Sequence, residues 1–180
     1  MPGLGEHLPR ELLIALPDIE TDLYRIHQLV WQHVARAVES QGRFARPEFI
    51  YRIDGGMIRV RGNLPKNKTS VSAFRANAPV HLDLAAVWGS EHENAVPEAH
   101  LADWCAEKIE SAGFKVASLA VTNFQYRCGV KHATDNRQNI RIPVASVTTT
   151  VTAGDTLACA LTWRQGIGRG KRFGLGMLAH

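Results

Sequence analysis

The chain has 180 residues, 45% of them hydrophobic and 21% charged, which is enough apolar content for one sizeable core or two small ones. No stretch approaches the roughly 20 apolar residues that cross a bilayer, and the first apolar run follows acidic residues and is not typical of a secretory signal, so we expect a cytoplasmic protein. The three cysteines lack paired spacing and the eight histidines form no metal-ligand motif, so we expect neither a disulfide framework nor a bound metal or other cofactor.

The first half of the chain predicts one module of strands and a helix over residues 8–88. Thr21 or Asp22 can cap its helix, and the Asp-Gly-Gly string at 54–56 is typical of a hairpin turn. The predicted elements are a strand at 10–16, a helix to about Ser40, strands at 49–53 and 57–60, a basic loop at 65–69, and a strand within 71–87 that is broken near Pro79.

The second half predicts a further module after a polar, turn-rich stretch at 89–97. We therefore divide the chain into domains at 1–90 and 91–180. The predicted elements are a helix at 98–112, strands at 115–126 and 140–151, a helix at 156–165 capped by Asp155, and a last strand at 173–178. This order resembles a ferredoxin-like module, with a permuted start as one option, so the predicted class is α+β.

The formal net charge is only +4, but the charges are unevenly distributed. Residues 43–75 carry eight basic and two acidic side chains, residues 126–141 carry four and one, and residues 164–180 carry four and none. Acidic or neutral stretches separate these three segments. If the fold brings them together, they form a positive face for a polyanion; taken singly, each is a solvated surface.

The run from Gly166 to Gly176 is the most specific motif, with glycines interleaved among Arg169, Lys171 and Arg172. Exposed backbone N–H groups beside cations suit phosphate. A dinucleotide-binding loop is excluded because this run follows a helix at the end of the chain, and a P-loop is excluded because no GKS or GKT occurs. A flexible basic tail is the alternative.

Tyr24 and His27 lie three residues apart beside the apolar stripe of the first predicted helix, so both side chains can reach one site. A His near its ordinary pKa can act as a general acid or base. The alternative is that both residues only pack. His33 lies on another face of the helix and is expected at the surface. The stripe consists of Leu23, Ile26, Val30, Val34 and Ala37.

Four strings occur in the order found in the CRISPR-associated repeat endoribonucleases: DLYRIHQLVW from Asp22, FRANAP from Phe74, AGF from Ala112, and GIGRGKRFGLGML from Gly166. The last string resembles the C-terminus of the CasE subfamily, the processing subunit of Cascade-type complexes. The resemblance implies two tandem ferredoxin-like (RRM-like) domains. It covers most of the chain beyond residue 18, and the first seventeen residues match poorly.

The resemblance also implies a metal-independent endoribonuclease that cuts CRISPR repeat RNA at the base of its stem-loop. The products are a 2′,3′-cyclic phosphate and a 5′-hydroxyl, and the enzyme stays bound to the crRNA hairpin beside other Cascade-like subunits. His27 is implied as the general base or acid, and Tyr24 orients the 2′-hydroxyl or assists proton transfer. The cation at the scissile phosphate is Lys131, Lys171 or Arg169.

RNA binding is implied for the basic segment between the two long strands and for the glycine-rich run. Whether the cations of segment 43–75 also contact RNA is open; these are Arg52, Arg59, Arg61, Lys66 and Lys68. The implied RNA-binding residues are Arg127, Arg137, Arg141, Arg169, Lys171, Arg172, Gly166, Gly168, Gly170, Gly174 and Gly176, with Lys131 and His132 in the same basic segment.

Three other functions are considered. One is a non-catalytic subunit that holds the crRNA hairpin, against which the presence of both Tyr24 and His27 argues. Another is an RRM-like RNA-binding protein, which predicts an RNP-type string of basic and aromatic residues that is absent from the sequence. The last is a nucleotide-processing enzyme, which the placement of the glycine-rich run disfavours. A type I-E and a type IV effector complex both remain open.

Overall fold

The computed structural model describes residues 8–17, 21–39, 48–66, 69–88, 94–133 and 136–180, without the side chains of 132, 133, 136 and 137. The predicted α+β class is confirmed, since two antiparallel sheets each carry helices on one face. Across the described ranges, no helix is long and apolar enough to cross a membrane.

The first sheet has the strand order β2-β3-β1-β4, and all its pairs are antiparallel. This is the ferredoxin-like order, with the crossover helix between the first two strands. The Asp54–Met57 pair closes the predicted hairpin. The elements are β1 (Arg10–Ala15), α1 (Leu23–Glu39), β2 (Phe49–Asp54), β3 (Met57–Gly62) and β4 (Ser70–Val71).

The helix α1 forms because apolar residues recur every three or four positions and face one side of this sheet. Burying each such side chain contributes about 1.5–3 kcal/mol. The predicted stripe is nearly right, but its last buried member is Val38, and Ala37 is only half-buried. The stripe packs on the side chains Ile14, Tyr51, Ile58 and Val60 of the sheet.

The second sheet has the order β5-β7-β6, and an isolated bridge between His81 and Ala179 stands where a fourth strand would be. With that bridge the unit has the complete ferredoxin-like order. The elements are β5 (Pro79–Ala85), a 3-10 turn (Glu98–His100), α2 (Leu101–Ser111), β6 (Phe114–Ala133), β7 (Asn136–Ala153) and α3 (Thr156–Gln165). Asp155 caps α3 as predicted, accepting from Leu157 N at 2.9 Å and Ala158 N at 3.0 Å.

The prediction that the strand near 79–85 completes the first module is wrong. Residues Pro79 to Ala85 pair with Thr150 to Val144 of β7, so β5 is the first strand of the second sheet and no permutation is needed. The alternation of apolar and polar residues in β5 suits either sheet, and only the pairing decides between them. The division of the chain into domains at residue 90 stays a prediction.

Two further predictions are corrected. The predicted strands at 115–126 and 140–151 are too short, because β6 and β7 extend through the basic segment between them and pair from Phe114–Ala153 to Ala133–Asn136, with register shifts near Val116 and Val121. The predicted last strand at 173–178 is wrong as well. A 3-10 turn (Lys171–Phe173) and irregular chain replace it, since Gly174 and Gly176 adopt positive φ and interrupt extended structure. The segment is nevertheless ordered and buried, with Leu175, Met177 and Leu178 fully inside.

Arg61 of β3 joins the two sheets through a buried polar network. Its guanidinium donates to Glu11 Oε1 at 2.9 and 2.6 Å and to the Trp163 carbonyl at 2.7 Å, and it stacks 3.8 Å from the Trp163 ring. Ser72 Oγ also donates to Glu11, and Trp163 Nε1 donates to Ser72. Burial lowers the pKa of Arg61 to about 10, which still leaves it charged at neutral pH.

Candidate active site

The start of α1 is fixed by the side chain of Asp22. Its Oδ1 accepts from Tyr24 N at 2.8 Å and from Arg25 N at 3.1 Å, which satisfies the first turn of the helix. Its Oδ2 accepts from Val130 N of β6 at 2.8 Å. Burial acts to raise the pKa of Asp22, but the three backbone donors outweigh it and lower that pKa. A charged carboxylate therefore ties α1 to the second sheet.

Strand β6 passes very close to this helix start. A Cβ added to Gly129 would lie 3.0 Å from Tyr24 N and 3.1 Å from Leu23 Cβ, so a side chain there would push strand and helix apart. Side chains alternate along a strand, so Lys131 leaves β6 on the same face as Gly129, toward α1. Lys131 is exposed and Tyr24 is half-buried.

His27 lies one turn further along α1 and is half-buried. Its ring meets the Phe173 ring edge to face, with centroids 6.4 Å apart, and its Nδ1 is buried with no hydrogen-bond partner among the described residues. Burial and the positive charge of Arg172 lower the pKa of His27 below its ordinary 6.5, against an opposing effect of the Arg172 carbonyl. The ring is thus neutral at neutral pH and can accept a proton.

Tyr51 of β2 holds the turn that carries Arg172 in place. The Tyr51 hydroxyl donates to the Arg172 carbonyl at 2.8 Å, and its burial raises its pKa well above the ordinary value, so it stays protonated and keeps donating. Gly174 has φ +77°, and a Cβ there would lie 2.8 Å from Tyr51 Cε2. The Arg172 guanidinium lies 4.7 Å from the Phe173 ring centre and remains exposed.

A cavity of about 380 Å³ opens beside His27. One wall is aromatic, because the Trp31 and Phe49 rings lie 5.8 Å apart, and the rim carries two arginines. Such a cavity can hold a planar base and flanking phosphates next to a neutral imidazole. Its lining residues are His27, Trp31, Glu48, Phe49, Ile50, Gly62, Arg164, Gln165 and Arg172.

The model of a family described as CRISPR associated protein matches residues 66–179, which is more than half of the chain. The chain belongs to this family of CRISPR-associated proteins. A comparison with curated protein sequences gives no match.

Solved structures share the fold over nearly the whole chain. A structure of the CRISPR endoribonuclease Cse3 bound to 19 nt RNA has a TM-score of 0.68 at 16% identity, covering 95% of this chain and 96% of that one. Thermus thermophilus Cse3 bound to an RNA representing a pre-cleavage complex has a TM-score of 0.63 at 16% identity, over 95% and 97%. A chain of a CRISPR RNA-guided surveillance complex has a TM-score of 0.66 at 14% identity, over 94% and 97%. The predicted resemblance is therefore confirmed for the CRISPR-associated family and for the fold of the Cse3 structures.

The glycines of the C-terminal run serve the packing of this protein chain first. Ile167 N donates to Gly176 O at 2.8 Å, and Gly176 N donates to Asp83 O at 2.6 Å. These hydrogen bonds join the two ends of the run to each other and to β5. A Cβ on Gly176 would overlap the Ile167 carbonyl, whereas a Cβ on Gly168 would meet nothing. Gly166, Gly174 and Gly176 are buried, and Gly168 is exposed. Whether the run contacts RNA stays a prediction.

The predicted RNA-binding cations lie in different surroundings. Arg127 is paired with Asp83 at 2.7 Å, and its side chain is 18% exposed. Arg141 is exposed and stacks 3.9 Å from the Tyr126 ring centre on the outer face of the hairpin. Arg169 is exposed and Lys171 is half-buried, and Gly170 between them has φ +75°. The side chains of His132 and Arg137 lie outside the described residues.

Among the described cations of segment 43–75, two are internal and the others are partly or fully exposed. Arg52 and Arg61 are buried, and Arg59 pairs with Glu11 at 3.6 Å and Asp54 at 3.3 Å. Lys66 is exposed, and Lys68 lies outside the described residues. Arg52 donates to the His81 carbonyl of β5 and Arg61 to the Trp163 carbonyl of α3, so these two cations join the first sheet to the second unit.

The sequence did not predict that two arginines, Arg172 and Arg164, would lie beside His27. Arg172 is expected only as an RNA-binding residue, yet it is the cation that acts electrostatically on His27. Arg164 of α3 is not predicted at all and lines the same cavity, where it lies 3.6 Å from Glu48. The sequence signal for Arg164 was only its position in the basic segment at the end of the chain. Its approach to α1 could not be predicted, because α3 and α1 are far apart in sequence.

Proposed function

We propose that this protein is a metal-independent endoribonuclease that cuts CRISPR repeat RNA at the base of its stem-loop and remains bound to the crRNA hairpin within an effector complex. The observation that supports this most is the half-buried, neutral His27 ring beside Arg172, at the edge of a cavity that can hold a nucleotide. Lys131, on the face of β6 that turns toward α1, adds a second cation near this region.

In the proposed reaction the RNA supplies its own nucleophile. His27 takes the proton of the 2′-hydroxyl, the 2′-oxygen attacks the adjacent phosphorus, and the bond from phosphorus to the 5′-oxygen breaks. The departing 5′-oxygen takes a proton from water and leaves as a 5′-hydroxyl, while the phosphate closes to the 2′,3′-cyclic form. Tyr24 orients the 2′-hydroxyl or assists proton transfer, and Arg172 or Lys131 stabilises the extra negative charge.

The proposed partners are the 3′ stem-loop of crRNA and the other subunits of a Cascade-like complex, in the cytoplasm. The Cse3 proteins of the same fold were solved with RNA, and another chain of the same fold belongs to an RNA-guided surveillance complex. The formal net charge of +4 and the exposed Lys131, Arg141 and Arg169 are compatible with an RNA partner.

Cleavage of a labelled CRISPR-repeat hairpin in the presence of EDTA tests this proposal. The wild type is compared with His27→Ala and with His33→Ala, a matched change at an exposed histidine on α1 whose Nδ1 lies 2.9 Å from the Leu29 carbonyl. We expect wild type and His33→Ala to cut and to leave a cyclic phosphate, and His27→Ala to bind without cutting. Binding by all three without cleavage by any would mean a subunit that only holds the hairpin, and no binding would reject the proposal.

A further inference from the structure

A second, polar pocket of about 240 Å³ lies on the opposite face of the first sheet from α1. The tip of the β2–β3 hairpin meets the open face of the second sheet there. Its lining surface is almost entirely polar. The polar residues that line it include Arg52, Asp54, Asp83, Thr122, Arg127 and Thr148.

Arg52 is the most unusual group in this pocket. It is only 9% exposed, and its Nη1 donates to the His81 carbonyl at 2.7 Å. Its Nε is buried and has no hydrogen-bond partner among the described residues, and none of their carboxylates forms an ion pair with it. A buried positive charge without a counter-ion is costly, so it is normally matched by an anion.

Arg127, which also lines this pocket, carries a second unmatched donor. Its Nη2 pairs with Asp83 Oδ2 at 2.7 Å, and its Nη1 is buried with no partner in the described part of the chain. Asp54, the other carboxylate in the lining, pairs with Arg59 at 3.3 Å. Both carboxylates of the lining are thus already paired with other arginines, and no carboxylate of the described residues compensates the charge of Arg52.

We propose that this pocket binds a phosphate-type oxyanion between Arg52 and Arg127. Two guanidinium groups with available N–H donors suit the several acceptor oxygens of a phosphate. The hydroxyls of Ser146 and Thr148 add further donors, and Thr148 already lies 3.0 Å from His81 Nδ1.

The phosphate has two possible sources, the backbone of a bound RNA or free inorganic phosphate. Strand β6 connects the pocket to the candidate active site, because Arg127 lies two residues before Gly129, which touches the start of α1. Two strand residues span only about 7 Å, roughly the spacing of neighbouring nucleotides. The RNA source rests on the proposed function, whereas the oxyanion site itself does not.

Thr122 provides the test because it is exposed, lines the pocket and lies outside the residues proposed for catalysis. Thr122→Glu brings a carboxylate into the pocket as an internal substitute for the ligand, and Thr122→Gln is its neutral match. Arg36→Gln, on the exposed face of α1, controls for the loss of one cation elsewhere. Inorganic phosphate is titrated against each protein at constant ionic strength by calorimetry and by Tm, with chloride as the reference.

We expect phosphate, and not chloride, to bind and to raise the Tm of wild type, Thr122→Gln and Arg36→Gln. Thr122→Glu is expected to lose at least tenfold in phosphate affinity while its own Tm without phosphate stays equal or rises, since its carboxylate offsets Arg52. Arg127→Gln is a second test variant, and we expect it to bind phosphate more weakly than wild type. Equal behaviour of phosphate and chloride with wild type, or full phosphate binding by Thr122→Glu, would overturn the proposal.

Binding of hairpin RNA then distinguishes an RNA phosphate from free inorganic phosphate as the ligand of this pocket. If an RNA phosphate occupies the pocket, Thr122→Glu binds RNA more weakly than Thr122→Gln, its salt dependence is shallower by about one phosphate contact, and inorganic phosphate competes with RNA. Equal RNA affinity of the two variants assigns the pocket to free phosphate. Phosphate binding by a protein that never cuts RNA would reject the proposed function and leave this site standing.

Discussion

The carboxylate of Asp22 and the backbone amide of Val130 form a 2.8 Å hydrogen bond that joins the helix carrying Tyr24 and His27 to the long hairpin of the second sheet. The same carboxylate caps the helix, so one side chain sets both the start of α1 and the distance to β6. Since Gly129 allows the close approach beside it, the geometry around Tyr24 depends on both units at once.

Asp22→Ala should therefore lower both stability and cleavage. Loss of the cap costs about 1–2 kcal/mol, and the unpaired Val130 amide adds to this. We expect the free energy of unfolding in urea to fall by at least that amount, and cleavage to fall further than binding, because Tyr24 and His27 shift relative to β6.

Asp155→Ala is the matched control for Asp22→Ala. Asp155 caps α3 with the same pair of backbone bonds, but within the described part of the chain its side chain makes no bond to the other sheet. It should lose a similar cap energy and retain cleavage at temperatures where it is folded. Equal losses of cleavage in the two variants would contradict a positioning role for Asp22.

Arg172→Gln should change the pH dependence of cleavage. A base must be unprotonated, so activity is lost as the pH falls through the folded pKa of His27. Burial and the Arg172 charge lower that pKa below 6.5, and removing the charge should raise it, moving the acidic limb of kcat/KM to higher pH.

Arg172→Lys separates the charge of Arg172 from its shape. The lysine keeps the positive charge, so the acidic limb should stay near its wild-type position. If Arg172 also stabilises the phosphate in the transition state, Arg172→Gln lowers the plateau rate by about 10²-fold, in the range seen for one lost electrostatic donor. An acidic limb that stays in place in Arg172→Gln would show that its charge does not act on His27.

Local sequence patterns predicted the helices and most strands well, because hydrophobic periodicity and capping residues depend on only a few neighbouring positions. The hairpin at 54–56, the helix α1 and the Asp155 cap are examples. The strand β5 was assigned to the wrong sheet because its partner, β7, is about 65 residues away and no local pattern identifies it. The C-terminal run was mistaken for a strand because its apolar content was counted without the positive φ of its glycines.

The candidate site was only partly accessible to sequence reasoning, for the same reason. Tyr24 and His27 share a helix, so their spacing could be interpreted directly. Arg172 and Arg164 reach the same cavity from the end of the chain, and their approach depends on Tyr51 and on how α3 packs. That Arg52 and Arg61 are buried could not be predicted either, since isolated arginines are normally at the surface.

Gly174→Ala should destabilise the protein more than Gly168→Ala. Both glycines have φ above +70°, so alanine is strained by about 1 kcal/mol at either position. At Gly174 the new Cβ also meets the Tyr51 ring, whereas at Gly168 it meets open space. The difference in unfolding free energy between the two variants measures the Tyr51 contact, and equal losses would mean that the ring moves aside without cost.

The stability of the protein should decrease below neutral pH, with His180 as a main cause. Arg75 N donates to His180 Nε2 at 2.9 Å, so Nδ1 carries the hydrogen and donates to the Pro79 carbonyl at 3.1 Å. This neutral tautomer is lost on protonation. Burial lowers the pKa of His180 below its ordinary 6.5. The hydrogen bond to the Pro79 carbonyl and the charge of Glu11 oppose this shift, and the charges of Arg75 and Arg61 add to it.

The unfolded chain then binds a proton at His180 at a pH where the folded protein does not. The free energy of unfolding is therefore highest above pH 6.5 and falls as the pH drops from there toward the folded pKa. His27 contributes a slope of the same sign. We expect His180→Gln, made in a His27→Gln background, to be less stable than that background at neutral pH but to lose less stability on acidification. Urea unfolding across this pH range measures both, and parallel curves would exclude His180 as a source of the pH dependence.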